Sequence, residues 1–261
     1  MSNQPSASPR TLTVAGTEVA RIGLGTNRLS STPENQQFLR EASEAGIGMI
    51  DTAHVYSGGD SERAIGEALS PKPDGVLIAT KGGYRGSGSR EALRAQIEQS
   101  LESLRTDVID LYYLHRVDPE TPLEESLGAI AEYREAGKIR EVGISAVSVE
   151  QVEAARKVVP VAAVQNHYNV ADRDSDDVVD HCEENDIVFV PYYPLKGGAP
   201  PALAEVAAAH NASPEQIAIA WLLRRSPATL PIPGTLSIEH LHQNLAALDI
   251  ELTDDEYAAL A

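Results

Sequence analysis

Gly48-Met49-Ile50-Asp51-Thr52-Ala53-His54-Val55-Tyr56 is a short apolar run that ends on an aspartate, with a tyrosine five positions later. The same delivery recurs at Ile78-Ala79-Thr80-Lys81, which ends on a lysine, and at Leu111-Tyr112-Tyr113-Leu114-His115, which ends on a histidine. Three successive apolar segments that each end in an ionisable residue read as parallel strands pointing polar groups at one shared rim.

The same unit repeats on either side. Arg21 to Thr26 reads as a strand, and Pro33 to Ala45 as a helix with Phe38, Leu39 and Ala42 on its apolar face and Gly46 as its stop. Beyond Asp51, helices are expected at Ser61–Leu69, Arg90–Leu104, Pro122–Glu135, Val149–Val158, Ser175–Glu184, Pro214–Arg225 and Ile238–Leu245. Between them fall strands at Val76–Ala79, Val108–Leu114, Ile139–Ile144, Ala162–Val164, Ile187–Val190 and Thr229–Ile232. Counted from Arg21, eight short apolar strands alternate with eight helices, which indicates parallel βα units. In so short a chain they imply an α/β fold closed as a (β/α)8 TIM barrel. An open doubly wound sheet is the runner-up, but Gly23-Leu24-Gly25 is followed by Thr26-Asn27-Arg28 and lacks the third glycine of a dinucleotide fingerprint. Thr11–Val14 and Thr17–Val19 flank Ala15-Gly16 and predict a short N-terminal β-hairpin.

Composition narrows the function. At 261 residues with 42% apolar content, one large core is expected, with residues 1–10 as a polar tail and 11–261 as a single domain. The formal charge of −18 argues against nucleic-acid and anionic-membrane partners; otherwise the acidity speaks only to solubility. Cys182 is the only cysteine, which excludes an intrachain disulfide and fits passive packing in a helix; Trp221, the only tryptophan, is read as core. The tail does not read as a signal peptide, and no apolar stretch is long enough to span a membrane, so a cytoplasmic protein is expected; without long loops or an evident apolar patch, it is expected to be a monomer.

In a barrel, residues just past the carboxyl ends of the strands line the active site. Asp51, Lys81 and His115 would share that rim, and Tyr56 lies in the loop that folds back over Asp51. Singly, each has a commoner explanation in packing or solvation; joint placement on three consecutive strand ends carries the reading. A free phenol has a pKa of about 10, and a nearby ammonium favours the phenolate. Asp51 paired with Lys81 would hold that ammonium beside Tyr56, which could then protonate an oxygen as charge develops there, with His115 completing a polar cradle. This suits reduction of a carbonyl. A metal site at Asp51 and His115 is the weaker alternative, because the lysine would repel the cation.

Further motifs accompany these: Gly-Lys-Ile-Arg-Glu-Val-Gly-Ile-Ser at 137–145, Gln-Asn-His-Tyr-Asn at 165–169, Pro-Tyr-Tyr-Pro-Leu at 191–195, and Ile-Pro-Gly-Thr at 232–235 with Gln243-Asn244. Together with Asp-Thr-Ala-His-Val-Tyr at 51–56, Lys81 and Leu-Tyr-Tyr-Leu-His at 111–115, they resemble an aldo-keto reductase from Val19 to about Leu260. The resemblance implies Asp51, Tyr56, Lys81 and His115 as catalytic residues, with no metal, and NADP(H) as cofactor, NAD(H) being possible. It implies that Ser145 and Gln165 hold the nicotinamide amide, that Tyr192 stacks on the ring, and that Gly23 and Thr26 run beneath the cofactor. Leu195 would meet the pyrophosphate through its backbone; Gly234, Thr235, His240, Gln243 and Asn244 would lie along the adenosine half.

The chain departs from the family pattern at three places. Ala146 stands where many relatives have asparagine, and Gly234 and His240 stand where many have cations for the 2′-phosphate. Thr235, Ser237, Arg224 and Arg225 are the remaining candidates for that partner. The short stretch from Lys196 to Pro200, together with the end at Ala261, implies a shallow, open pocket, with Asn27, Tyr84, Arg116 and His167 as candidate lining. The expected function is hydride transfer to a small aldehyde or ketone. The rivals are a cofactor-binding regulatory subunit with little turnover and a barrel enzyme acting on a phosphorylated sugar.

Overall fold

The computed structural model describes residues 9–197 and 200–260. The hairpin forms as expected, β1 (Thr11–Val14) pairing antiparallel with β2 (Thr17–Ala20). Seven parallel strands then follow in sequence order: β3 (Leu24–Gly25), β4 (Met49–Asp51), β5 (Leu77–Gly82), β6 (Ile109–Leu114), β7 (Ile139–Ser145), β8 (Val161–Gln165) and β9 (Val188–Phe189). Around them run α1 (Pro33–Glu44), α2 (Asp60–Leu69), α3 (Arg90–Leu104), α4 (Leu123–Glu135), α5 (Val149–Arg156) and α6 (Asp176–Glu184). The C-terminal part adds α7 (Pro201–Ala209), α8 (Pro214–Arg225), α9 (Ile238–Ala246) and α10 (Asp254–Ala259).

The eighth strand is where expectation and structure differ. Thr229–Ile232 lies in its expected place, but it pairs by isolated bridges: Phe189 with Thr229 on one side and Gly25 with Gly234 on the other. Leu230 N donates to Phe189 O at 2.8 Å, and Gly23 N to Pro231 O at 2.9 Å, so the sheet closes on itself. Pro231 and Pro233 have no N–H to give, which breaks the ladder along this segment and leaves β3 only two residues long. The barrel is therefore closed, at a seam made mostly of carbonyl acceptors.

Alternation along the strands sorts the side chains. Met49, Leu77, Ala79, Leu111, Tyr113, Ala163, Val188, Val190, Leu230 and Ile232 form one apolar cluster inside the barrel, with Val14 and Val19 of the hairpin packed against it. The opposite parity, including Ile50, Ile78, Tyr112, Leu114, Ile144 and Val164, packs outward against the helices in a second and larger core. Trp221 and Cys182 belong to that outer layer, both fully buried as read. Inside, the Tyr113 ring occupies the space left by Gly143, where a Cβ would meet two ring carbons at 2.4 Å.

Of the expected tail, residues 1–8 lie outside the described residues, but residues 9 and 10 are tied to the body. Pro9 O accepts from the Arg21 guanidinium at 3.0 Å and Arg10 O from Arg21 N at 3.0 Å. Residues 198 and 199 of the short segment after Leu195 also lie outside the described residues. Among the described residues, no helix is long and apolar enough to cross a membrane.

Candidate active site

Continuing the inward parity one step past the apolar layer gives Asp51 on β4, Lys81 on β5, His115 just beyond β6, Ser145 on β7 and Gln165 on β8. The register carries them to one end: Asp51 pairs with Ala79, Lys81 with Tyr113, and His115 N donates to Gly82 O at 2.7 Å. Thr26 fixes the chain beside them, its hydroxyl and amide both donating to Asp51 O. The loop after β4 then turns through a short 3-10 segment at Tyr56–Gly59, with Ser57 and Gly58 in left-handed conformation, and brings Tyr56 back over the rim.

Lys81 is fully buried and donates to Asp51 Oδ1 at 2.5 Å and to Thr52 O at 2.7 Å. The other carboxylate oxygen of Asp51 accepts from Gln165 Nε2 at 2.8 Å. The ammonium lies 5.0 Å from the centre of the Tyr56 ring, and that ring meets His115 edge-on with centroids 5.8 Å apart. Tyr84 packs on the His115 ring at 4.8 Å. The four expected catalytic residues are thus brought together.

Electrostatics refine the expectation. Burial pushes the Tyr56 phenol above its ordinary range, and Lys81 only partly offsets that rise. The ammonium does pull the phenol down, as expected, but desolvation outweighs it, so the resting group is a protonated acid. Burial works against the Lys81 charge, yet Asp51 and Tyr56 more than compensate and hold it protonated. Burial likewise raises the Asp51 carboxyl, opposed by Lys81 and Gln165. Burial, then Lys81 and Arg116, depress the His115 imidazole to about 3, so it is neutral at physiological pH. Its Nδ1 is enclosed without a partner, which leaves Nε2 as the nitrogen open to the cleft.

A cavity of about 750 Å³ opens over this cluster and is lined by Asp51, Tyr56 and His115. Thr26, Ser145, Gln165, Tyr192, Leu195 and Gly234 line it as well. A smaller pocket of about 340 Å³ adjoins it, sharing Gly25, Thr26, Asn27, Arg28 and Gly234 and ending at Thr235, Ser237 and His240 by the N-terminus of α9. The two together form an elongated trough suited to a dinucleotide. Gly25, which lines both cavities, lets the seam segment approach closely, since a Cβ there would stand 2.8 Å from Ile232 O. Ser145 is buried, and its hydroxyl has no protein hydrogen bond among the described residues, which leaves it free for a ligand amide. The donor set and the shape fit a nicotinamide dinucleotide.

Several expected positions fall elsewhere. Gly23 lies in the barrel wall, where a Cβ would meet Ile232 Cγ2 at 3.0 Å, and lines neither cavity. Gln243 and Asn244 sit one turn along α9 from His240 and line neither cavity; Gln243 O accepts from Gln216. Asn27, Tyr84 and Arg116 line the main cleft as expected, but His167 stands behind Tyr192, stacked on it at 5.6 Å and paired with Asp172 at 2.9 Å. Arg224 is engaged by Leu252 O and Asp254, and Arg225 by Tyr168, Asp176 and Asp180, so neither reaches the trough. Arg28, Lys196 and Tyr193 line the cleft without having been foreseen. They stand on loops, where the alternation that located the rim residues gives no signal.

Comparison with known proteins places the chain in a family. The sequence model of the Aldo/keto reductase family matches residues 21–261. An uncharacterized oxidoreductase of Schizosaccharomyces pombe is 36% identical over 271 residues, covering 96% of this chain and 88% of that protein. Pyridoxine 4-dehydrogenase of Escherichia coli is 35% identical over 279 residues, covering 97% and 98%. Among solved structures, an aldo/keto reductase from Klebsiella pneumoniae in complex with NADP and acetate superposes with a TM-score of 0.86 at 30% identity, covering 96% of this chain and 94% of that one. The family model and these relatives span nearly the whole chain, and the protein belongs to the aldo/keto reductase family.

Proposed function

We propose that this protein reduces aldehydes or ketones to alcohols with NADP(H), Tyr56 giving the proton. The observation that carries the reading is a buried Lys81–Asp51 ion pair beside a protonated phenol at the floor of an open trough. When bound, the reduced nicotinamide supplies the hydride. Tyr56 holds its proton in the resting state because burial disfavours its phenolate. As the proton leaves toward the substrate oxygen, the adjacent ammonium stabilises the phenolate left behind. Asp51 and Gln165 keep Lys81 charged and fixed at no reorganisation cost during the step. His115, neutral and open at Nε2, donates to the same oxygen and orients the carbonyl. Ser145 and Gln165 meet the nicotinamide amide, and Tyr192 packs against its ring.

The Klebsiella relative carries NADP, which supports the phosphorylated cofactor here. The 2′-phosphate would lie near the N-terminus of α9, within reach of Thr235, Ser237 and His240. Arg28, which lines both cavities, is the cation placed to meet it. The test is loss of reduced-nicotinamide absorbance with a panel of aldehydes. Tyr56→Phe should lower kcat/KM by about a hundred- to ten-thousand-fold, and Arg28→Ala should narrow the preference for NADPH over NADH. Turnover by Tyr56→Phe equal to wild type on every carbonyl would remove the phenol from the mechanism.

A further inference from the structure

The molecule carries 39 acidic residues against 21 basic ones, yet its cleft has the opposite balance. One carboxylate lines it, Asp51, and both of its oxygens are occupied by Lys81 and Gln165. Three cations line it too: Arg28, Arg116 and Lys196. Among the described residues none of the three has a carboxylate within 4 Å. In a chain with acids to spare, cations left unpaired at a concave site point to an anionic ligand.

Arg28 and Lys196 stand with Leu195 and Gly234, on the side of the trough assigned to the phosphates of the dinucleotide. Arg116 does not. It follows His115 directly in the chain, and Tyr84, another lining residue, packs against that imidazole. Its guanidinium carbon lies 5.6 Å from the centre of the Tyr192 ring, and Nη2 donates to the Tyr192 hydroxyl at 3.2 Å. That is its one side-chain hydrogen bond among the described residues, out of five N–H donors. Half-buried and held by a single hydrogen bond, the guanidinium keeps a free edge suited to two parallel hydrogen bonds with a planar anion.

We infer that Arg116 is a specificity-determining residue that selects carbonyl substrates bearing an anionic group, a carboxylate or a phosphate, at the end of the molecule away from the reacting carbon. This rests on the reduction proposed above. The anion would be held equally in ground and transition states, so its effect falls on KM more than on kcat.

The experiment compares matched aldehydes: 4-carboxybenzaldehyde with its methyl ester, 4-oxobutanoate with its methyl ester, and glyceraldehyde 3-phosphate with glyceraldehyde. Wild type should favour the anion of at least one kind by about 10- to 100-fold in kcat/KM, mainly through KM. The carboxylate and phosphate arms decide which anion is read. In Arg116→Leu the anion-to-neutral ratio should fall to near one, and Arg116→Lys should restore part of it. Added salt should narrow the ratio in wild type and leave it unchanged in Arg116→Leu. A wild-type ratio of one or less for both anions overturns the inference while leaving the reduction intact. So does an Arg116→Leu variant that slows anionic and neutral aldehydes in the same proportion, because the arginine would then serve only to hold Tyr192. If no aldehyde is turned over above the Tyr56→Phe level, the reduction itself fails and this inference falls with it.

Discussion

Burial and two neighbouring cations hold the His115 imidazole at a pKa of about 3, and that has a consequence for stability. In the unfolded chain the same ring takes up a proton at about 6.5. Between those values the unfolded state binds the extra proton, so the folded protein loses stability as pH falls below about 6.5, by at most about 1.4 kcal/mol per pH unit. Above that range the loss is absent. His54, also depressed by burial, adds to the wild-type slope, and the difference between wild type and His115→Asn isolates His115. Urea unfolding at pH 7 and pH 4.5 should give a shallower acid loss in the variant; identical slopes would mean that the ring is protonated in the folded state. Ala146 offers a second test. It adopts φ +57, a left-handed backbone that disfavours a β-carbon but that glycine and asparagine accept. Ala146→Gly and Ala146→Asn should each stabilise the protein by about 0.5–1 kcal/mol, read as a higher urea midpoint. The asparagine common in relatives suits this conformation, a reason independent of any contact it makes with the cofactor.

At the scale of the elements, β7 is built around one absent side chain. A methyl group on Gly143 would stand 2.4 Å from two atoms of the Tyr113 ring and 3.0 Å from Ala163 O, with backbone on one side and a packed ring on the other. Gly143→Ala should therefore cost about 1–3 kcal/mol or more. Because the Lys81 ammonium lies 5.8 Å from the centre of that same ring, moving it should lower kcat as well as Tm. A variant with wild-type Tm would mean that the barrel interior yields more easily than its packing implies. Much of this layout was legible beforehand, for a physical reason: a strand buried on both faces must be apolar until it reaches the rim, so Asp51, Lys81 and His115 each mark the end of a run. Tyr56 was legible only by its nearness to Asp51. The seam strand was misread as regular because apolar content was weighed and the missing N–H groups of Pro231 and Pro233 were not. Arg28 and Lys196 could not be read at all, since a loop residue's position depends on tertiary path rather than on period. The same holds for buried Glu62 in the first turn of α2: no sequence period signals that Thr80, the neighbour of Lys81, donates to it at 2.5 Å.

The whole molecule depends on closing that seam, and one side chain does much of the closing. Arg21 is fully buried, and its guanidinium meets only carbonyls: Thr229 O at 3.1 Å, Leu223 O at 2.9 Å, Ser226 O at 2.5 Å and Pro9 O at 3.0 Å. These acceptors belong to the segment before the N-terminal hairpin, the end of α8 and the start of the seam strand. The arginine therefore ties the first and last parts of the barrel where the proline-bearing strand cannot supply its own ladder. Bonds from a charged donor contribute about 1.5–3 kcal/mol each, and removing the donor also leaves buried carbonyls unpaired. Arg21→Ala should therefore cost about 3–5 kcal/mol after partial hydration of the gap, comparable to breaking a buried ion pair. Arg21→Lys should recover only a small part of this, because an ammonium has three donors on one atom and cannot span acceptors on several sides. The measurement is urea unfolding of both variants, followed by kcat/KM with a neutral aldehyde under conditions where each is folded. If closure positions the rim, kcat/KM should fall although Arg21 touches no residue of the cleft. A variant within about 1 kcal/mol of wild type would show that the hydrogen bonds of Leu230 and Gly23 close the barrel unaided.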